Sequence, residues 1–350
     1  MSEVSLAAQA PAFHLESEIH HEEGHNNFHD AQFPPQIVWV LDICGAPTSD
    51  GLCRRTWAVI LTFSALIFSG WRSYDLMMVA YKSWTKHSWY HVALMMSALR
   101  TAMAAFLAIF ASHRVRSAVG AFDDQAKHNL KVGSVFFMVY AFLTLLINFF
   151  LVFVWYEEDM ELMEKVDIAF PSKDLLRCST WVLMLVTCEG LRSQLRKCTR
   201  TAGEAGTFAC HYQALEDSVR AASHMWAPWS AAVLILSMRI FLYYKTSFAG
   251  IAYVVVCTDV LAFLLPAAFF NQDMMRTSRS LAGHMYESHV DRSALATEVV
   301  LVLARPAYFK LGGVLKVTPV TWATAAFVMV CKGGLIWFLT GDNDHHKFKL

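Results

Sequence analysis

Five ionisable side chains sit where the chain is otherwise apolar: Arg72, Asp75, Arg100, Arg239 and Asp259. A charge in such a stretch is costly unless it is paired, hydrated or able to reach a polar boundary. Arg100 lies about midway along its apolar run, so it needs a partner such as Asp75 or a water-filled cavity. Such groups either build a polar ligand pocket or a gating pair, or form a structural arginine–aspartate pair. Lys332 is the one charge in the last apolar stretch. A different chemistry is spelled by His21-Glu22-Glu23-Gly24-His25, which matches the zinc-protease pattern HExxH. That chemistry needs both histidines on one face of a rigid helix and the glutamate aimed at a metal-bound water. Here the pattern holds a glycine within a polar tail, and no third ligand is fixed in place. The tail is therefore read as solvated or loosely metal-binding. No enzyme activity, resident metal or cofactor is expected.

Aromatic side chains gather at the ends of the apolar runs. Tyr90, Phe149, Phe153, Trp181, Tyr244 and Tyr253, with Met95 and Arg100, are the candidates for lining a small-molecule pocket among helices. The competing reading is the aromatic belt found on membrane proteins in general.

The elements that must position these residues follow from hydropathy. Of the 350 residues 56% are hydrophobic and 17% charged, with a mean hydropathy of +0.37; a soluble domain would be nearer ~25% charged. The apolar residues come in blocks long enough to cross a bilayer, which predicts an all-α polytopic membrane protein. Seven spans are expected: Thr56–Ala80, Trp89–Ala111, Val132–Trp155, Cys178–Leu191, Met225–Tyr244, Ala249–Phe270 and Thr318–Thr340. Residues 1–55 form an N-terminal tail, disordered to about residue 35, and residues 341–350 a short C-terminal one. Ile37–Leu41 is too short to span and is read as a helix at or under the membrane surface. The eight cysteines are scattered and do not form a disulfide framework. No basic run suggests nucleic acid.

Most Lys and Arg of the connections fall on one side, including Arg114, Arg116, Arg192, Arg196, Arg276 and Arg305. The positive-inside rule then puts the N-terminus in the cytosol and the C-terminus outside. A G-protein-coupled receptor would need the opposite orientation, and neither an Asp-Arg-Tyr after the third span nor an Asn-Pro-x-x-Tyr in the seventh is present. A non-conducting scaffold or transporter is a further alternative. Two cytosolic helical regions, 192–224 and 272–310, accompany the seven-helix domain of residues 56–340. Phe208, Tyr212, Leu215, Val219 and Ala222 recur at helical spacing, so this helix has a face to bury. With Ala294–Phe309 it either anchors a neighbouring subunit or rests on its own bundle. Gly312-Gly313 should break the chain before the last helix, with Thr318 as N-cap and Pro319 at its first position.

This order of features resembles the invertebrate gustatory receptor family, within the superfamily of insect taste and odorant receptors. Four places carry the resemblance: the apolar run Val38–Cys44 closing in Gly45-Ala46-Pro47; Tyr212, Leu215 and Val219 leading into Met225–Tyr244; Glu298–Val302 with Arg305–Phe309; and Leu311–Leu315 followed by Thr318. The family signature of Thr-Tyr, five apolar residues and Gln near the chain end is absent, with Cys331, Lys332 and Phe338 in its place. The resemblance is therefore to a divergent member. It implies a multi-pass plasma-membrane protein acting as a gustatory or chemosensory receptor, a ligand-gated non-selective cation channel. It also implies a homo- or hetero-tetramer with related subunits, contacts with membrane lipid, and a small-molecule tastant or odorant bound between the early helices. It makes the stripe Thr321, Ala325, Val328, Lys332, Leu335 and Leu339 pore-lining, with Leu335 and Leu339 as an apolar gate. The competing reading of that stripe is ordinary packing, with Lys332 snorkelling outward.

Overall fold

The computed structural model describes residues 33–46, 52–82, 92, 95–96, 98–108, 115, 122–150, 171–202, 204, 207–237, 248–287, 292–312 and 314–344. In chain order its elements are α1 (Pro35–Ile43), α2 (Leu52–Lys82), α3 (Ala98–Ala108), α4 (Asp124–Phe150), α5 (Pro171–Arg200), α6 (Thr207–Ser237), α7 (Phe248–Glu287), α8 (Arg292–Ala304), β1 (Lys310–Leu311), β2 (Leu315–Lys316) and α9 (Pro319–Asp344). Arg239 and the HExxH stretch lie outside the described residues. Two described helices are long and apolar enough to cross a membrane, Leu52–Met78 and Asp124–Ile147. Each is only 28% buried, so most of its apolar surface faces outward, as a lipid-facing helix requires.

The core helix is α5. From Leu176 to Leu191 every residue is buried except the half-buried Leu185, because α4, α6 and α7 pack on different sides of it. Its buried Ser179, Thr180 and Thr187 hydroxyls cost little there, since they bond their own preceding turns. Ser179 Oγ donates to Leu176 O at 2.7 Å, Thr180 Oγ1 to Arg177 O at 2.7 Å and Thr187 Oγ1 to Leu183 O at 2.9 Å. Trp226 of α6 adds a buried indole N–H to the Thr187 hydroxyl at 3.1 Å.

The first helix departs from expectation. It does not lie at a surface: Ile37, Leu41, Cys44 and Ala46 are fully buried, and α1 packs against α2, α4 and α5. Its foot is marked by the Phe33 ring 6.4 Å from that of Phe122, just before α4. Its head is marked by Cys44, whose Sγ donates to Met138 Sδ at 3.5 Å. Met138 is fourteen residues into α4, or ~21 Å along that helix. The segment therefore climbs deep into the bundle, and residues 47–51 lead from there to α2. The turn at its head explains Gly45-Ala46-Pro47. Gly45 takes φ +89°, its N–H bonds Asp42 O at 3.3 Å, and the Ala46 N–H bonds Leu41 O at 2.8 Å. These are the paired bonds of a Schellman C-cap, which wants glycine in the left-handed region. A Cβ on Gly45 would also come within 2.9 Å of the Leu176 side chain.

Several of the expected segments are continuous with their neighbours in longer helices. The amphipathic stretch and the fifth span as far as Ser237 are one helix, α6, with Pro228 inside it; the rest of that span lies outside the described residues. The sixth span continues through Leu281 in α7, 40 residues long with Pro266 inside. The fourth span is embedded in α5, 30 residues long, and α9 extends to Asp344.

The stripe Phe208, Tyr212, Leu215, Val219 and Ala222 is buried within the single chain, where α6 meets α5, α7, α8 and β1. It rests on its own bundle and is no free surface for a neighbour. Val302 is likewise buried, whereas Val300 and Leu303 of α8 face outward. Leu215→Asp is therefore expected to destabilise the fold itself, by more than ~3 kcal/mol for an unpartnered buried carboxylate. Gel filtration with intrinsic fluorescence checks this: misfolded aggregate is expected, and a well-folded protein of reduced mass would contradict the internal packing.

Candidate functional site

Four helices bring charge and aromatic surface together inside the bundle. Arg100 on α3 points at Asp259 on α7, Nη1 to Oδ2 at 2.7 Å. Arg177 on α5 reaches the same oxygen with Nε at 3.6 Å. None of the three is more than 4% exposed. One carboxylate thus serves two guanidinium groups in the buried interior of the bundle, where breaking the pairing is expensive. Next to Asp259 on α7, the Thr258 hydroxyl bonds that of Tyr140 on α4. One turn along α5 from Arg177, Trp181 stacks at a tilt on Tyr140 and Phe137, with centroids 5.3 and 5.7 Å apart.

The local sequence makes this arrangement. Arg177 and Trp181 are four apart and so share a face of α5; Phe137 and Tyr140 are three apart and share a face of α4. Thr258 and Asp259 are adjacent, which lets one turn of α7 address α4 with one residue and α3 with the next.

The structure redistributes the sequence candidates. Arg100 and Trp181 are in the cluster. The partner of Arg100 is Asp259, not Asp75: Asp75 pairs with Arg72 at 2.9 Å, three residues away on α2. Phe149 is 54% exposed and turned outward, so it belongs to the outer surface. Met95 is half-buried, and Tyr253 lies on α7. Tyr90, Phe153 and Tyr244 are outside the described residues. Tyr140, Phe137, Thr258 and Arg177 were not singled out for the pocket. Arg177 sits one residue before the expected fourth span, and its four-residue spacing to Trp181 is the signal that places it.

A second constellation ties the chain break to the bundle. Gly312, at φ +62°, starts the turn joining the two antiparallel strands, with Lys310 opposite Lys316 and Leu311 opposite Leu315. The expected break is thus a small hairpin; Gly313 within it lies outside the described residues. Asn271 on α7 is fully buried and grips both sides of the hairpin. Its Nδ2 donates to Phe309 O and Val317 O at 2.9 Å each, and its Oδ1 accepts the Phe309 N–H at 2.9 Å. Ser230 Oγ accepts the Gly312 N–H at 2.6 Å and Ser223 Oγ the Lys310 N–H at 3.2 Å. Tyr212 donates its hydroxyl to Arg305 O at 2.7 Å and accepts the Ala307 N–H at 3.2 Å. Burial pushes this phenol up to about 12, so the bonds persist through the physiological pH range.

The last helix starts as the sequence predicts. Thr318 Oγ1 accepts the Thr321 N–H at 3.2 Å, and Thr321 Oγ1 accepts the Thr318 N–H at 2.7 Å, a reciprocal cap ahead of Pro319. The helix lies on α7, with Trp322 Nε1 donating to Leu261 O at 2.9 Å. Thr321 and Val328 are exposed, while Ala325 and Lys332 are half-buried. Lys332 lies close enough to Cys257 of α7 for the two to interact electrostatically. The candidate stripe therefore runs along the edge between the α7-packed face and the open face of α9. Leu335 and Leu339 lie further along α9.

No protein-family model matches the chain, and no curated protein matches it in sequence. In three dimensions it is similar to the insect olfactory receptor OR5 from Machilis hrabei, with a TM-score of 0.59 at 12% sequence identity, covering 86% of this chain and 96% of that one. The chain thus has the all-α membrane-protein fold of an insect olfactory receptor.

Proposed function

We propose that this protein is a chemosensory receptor of the gustatory type, a ligand-gated non-selective cation channel of the plasma membrane. Its fold, shared with an olfactory receptor, supports the class. The observation that carries the reading to a site is the buried Arg100–Asp259–Arg177 cluster walled by Tyr140 and Trp181. In this reading a small molecule entering there meets charge on one side and aromatic surface on the other. In this reading the N-terminus is cytosolic, the C-terminus extracellular, and four copies place α9 around a common axis, with Thr321, Ala325, Val328, Lys332, Leu335 and Leu339 towards it. The tastant or odorant binds among α3, α4, α5 and α7.

The test is ligand-evoked current from cells expressing the protein alone or with a related subunit. Asp259→Asn keeps the shape of the side chain and weakens its hold on both arginines. It is expected to shift the concentration dependence of the response by at least about tenfold. An epitope at residue 350 is expected to be reached by antibody on intact cells; labelling only after permeabilisation would reverse the topology and with it the channel reading.

Lys332 gives a separate readout. A ring of four ammonium groups repels cations, so Lys332→Gln and Lys332→Tyr are each expected to move the reversal potential towards cation selectivity under a salt gradient. Unchanged selectivity in both variants would place the lysine away from the ion path.

A further inference from the structure

Three sulfur atoms from three separate elements meet near the candidate site. Cys44 caps α1, Met138 lies in the middle of α4, and Cys178 is on α5 beside Arg177. Both thiols are completely buried. The Cys44 thiol contacts Met138 Sδ at 3.5 Å, and the Cys178 thiol lies near enough to that of Cys44 for the two to interact. All eight cysteines of the chain are free. Among the described residues no three His, Cys, Asp or Glu side chains could hold a metal; this set differs in drawing its third ligand from methionine.

We propose that Cys44, Met138 and Cys178 form a binding site for a soft monovalent cation, Cu(I) or Ag(I). Two thiolates and a thioether are the donor set such ions prefer over harder divalent metals. Sulfur atoms 3.5 Å apart can share one ion at the ~2.3 Å typical of a metal–thiolate bond. The set is dry and rigidly supplied. Gly45 fixes the end of α1 through its Schellman bonds, and Thr62 Oγ1 holds the Gly45 carbonyl at 2.7 Å. Binding replaces two thiol protons by one metal ion and releases both protons to solvent, with no change of oxidation state, so affinity rises with pH. The complex carries one negative charge. Arg177, adjacent to Cys178, and Arg100 bring two positive charges against the single one of Asp259 to the same region. An occupied site would staple α1 to α4 and α5, the helices that also carry Tyr140 and Trp181.

The test uses the purified full-length chain carrying Cys53→Ser, Cys210→Ser and Cys331→Ser, which removes the three exposed thiols. It is titrated anaerobically with Cu(I) against a chromogenic chelator, and separately with redox-inert Ag(I). One tight equivalent per chain is expected. The pair Cys44→Ser and Cys178→Ser should abolish it. Met138→Leu should weaken it by at least the ~10-fold that loss of an outer-shell partner costs. Cys188→Ser, which removes the two-sulfur contact of Cys188 with Met184 at 3.9 Å, should leave it unchanged. Tight binding that survives loss of Cys44 and Cys178, or that disappears with Cys188, overturns the proposal. X-ray absorption of the loaded parent protein gives an answer that needs none of these variants to fold: three sulfur scatterers support the site, and nitrogen or oxygen ligands refute it. Neither measurement depends on channel activity.

Discussion

Asp259→Ala is expected to be among the most damaging single substitutions in the chain. It removes the one carboxylate that Arg100 and Arg177 share while leaving both guanidinium groups in the bundle. Breaking a buried ion pair by deleting one partner costs about 3–5 kcal/mol, because the remaining charge keeps its desolvation penalty. Thermal unfolding of the detergent-purified protein measures the loss. The comparison is the double variant Arg100→Leu with Asp259→Leu, which takes out this pair, fills the space and leaves Arg177 as the one charge of the cluster. It is expected to be more stable than Asp259→Ala, with a coupling between the two positions of about 0.5–3 kcal/mol in a double-mutant cycle. Additive effects would mean that the 2.7 Å contact contributes no pairing energy. Arg100→Leu with Asp75→Leu should by contrast be close to additive, since Asp75 is held by Arg72.

The second large effect is expected at Asn271. Its single amide makes three hydrogen bonds to the backbone on both sides of the hairpin, from a fully buried position. Alanine leaves two carbonyls and one N–H without that partner, at ~1–3 kcal/mol for each group left unsatisfied. Even the low end of that range, ~3 kcal/mol in all, raises the population of a detached hairpin by over ~100-fold. Limited trypsin digestion reads this directly, because Lys310 and Lys316 are the paired strand residues. Cleavage at those two sites should accelerate by that order, while cleavage elsewhere stays the same. Asn271→Asp sets a buried carboxylate against the Phe309 and Val317 carbonyl oxygens, so it should be at least as damaging as alanine. If alanine leaves the digestion rate unchanged, the hairpin is held by Ser230, Ser223 and Tyr212 without help from α7.

How much of this was legible in the sequence depended on whether the signal was local. The start of α9 was, because a cap is decided by residues within one turn: Thr318, Pro319 and Thr321 are enough. The glycine at the end of α1 was visible for the same reason. The partner of Arg100 was not, because Asp75 and Asp259 are equally good aspartates by composition and only the packing of α3 against α7 chooses between them. The stripe from Phe208 to Ala222 shows the same limit. Periodicity reveals that a helix has a face to bury, but not whether its own chain or another one covers that face. The first helix was misplaced by an argument from length alone. Nine residues cannot span a bilayer, but they can enter one when longer helices surround them. The clue was the spacing of Ile37, Val40, Leu41 and Cys44, which is a helical face rather than a continuous apolar run. Arg177 was missed because a hydropathy window starts where the charges stop, whereas α5 begins at Pro171.

The burial of α1 also carries a consequence for how the chain is made. The helices that cover it, α2, α4 and α5, all follow it in sequence, and the last of them ends at Arg200. Translation at ~5–20 residues per second takes roughly 10–30 seconds to cover that interval. Throughout this time the apolar face of α1 has been synthesised but its slot has not. A ribosome-bound chain stopped before α5 should therefore present Cys44 to a thiol reagent, and one stopped beyond Arg200 should hide it.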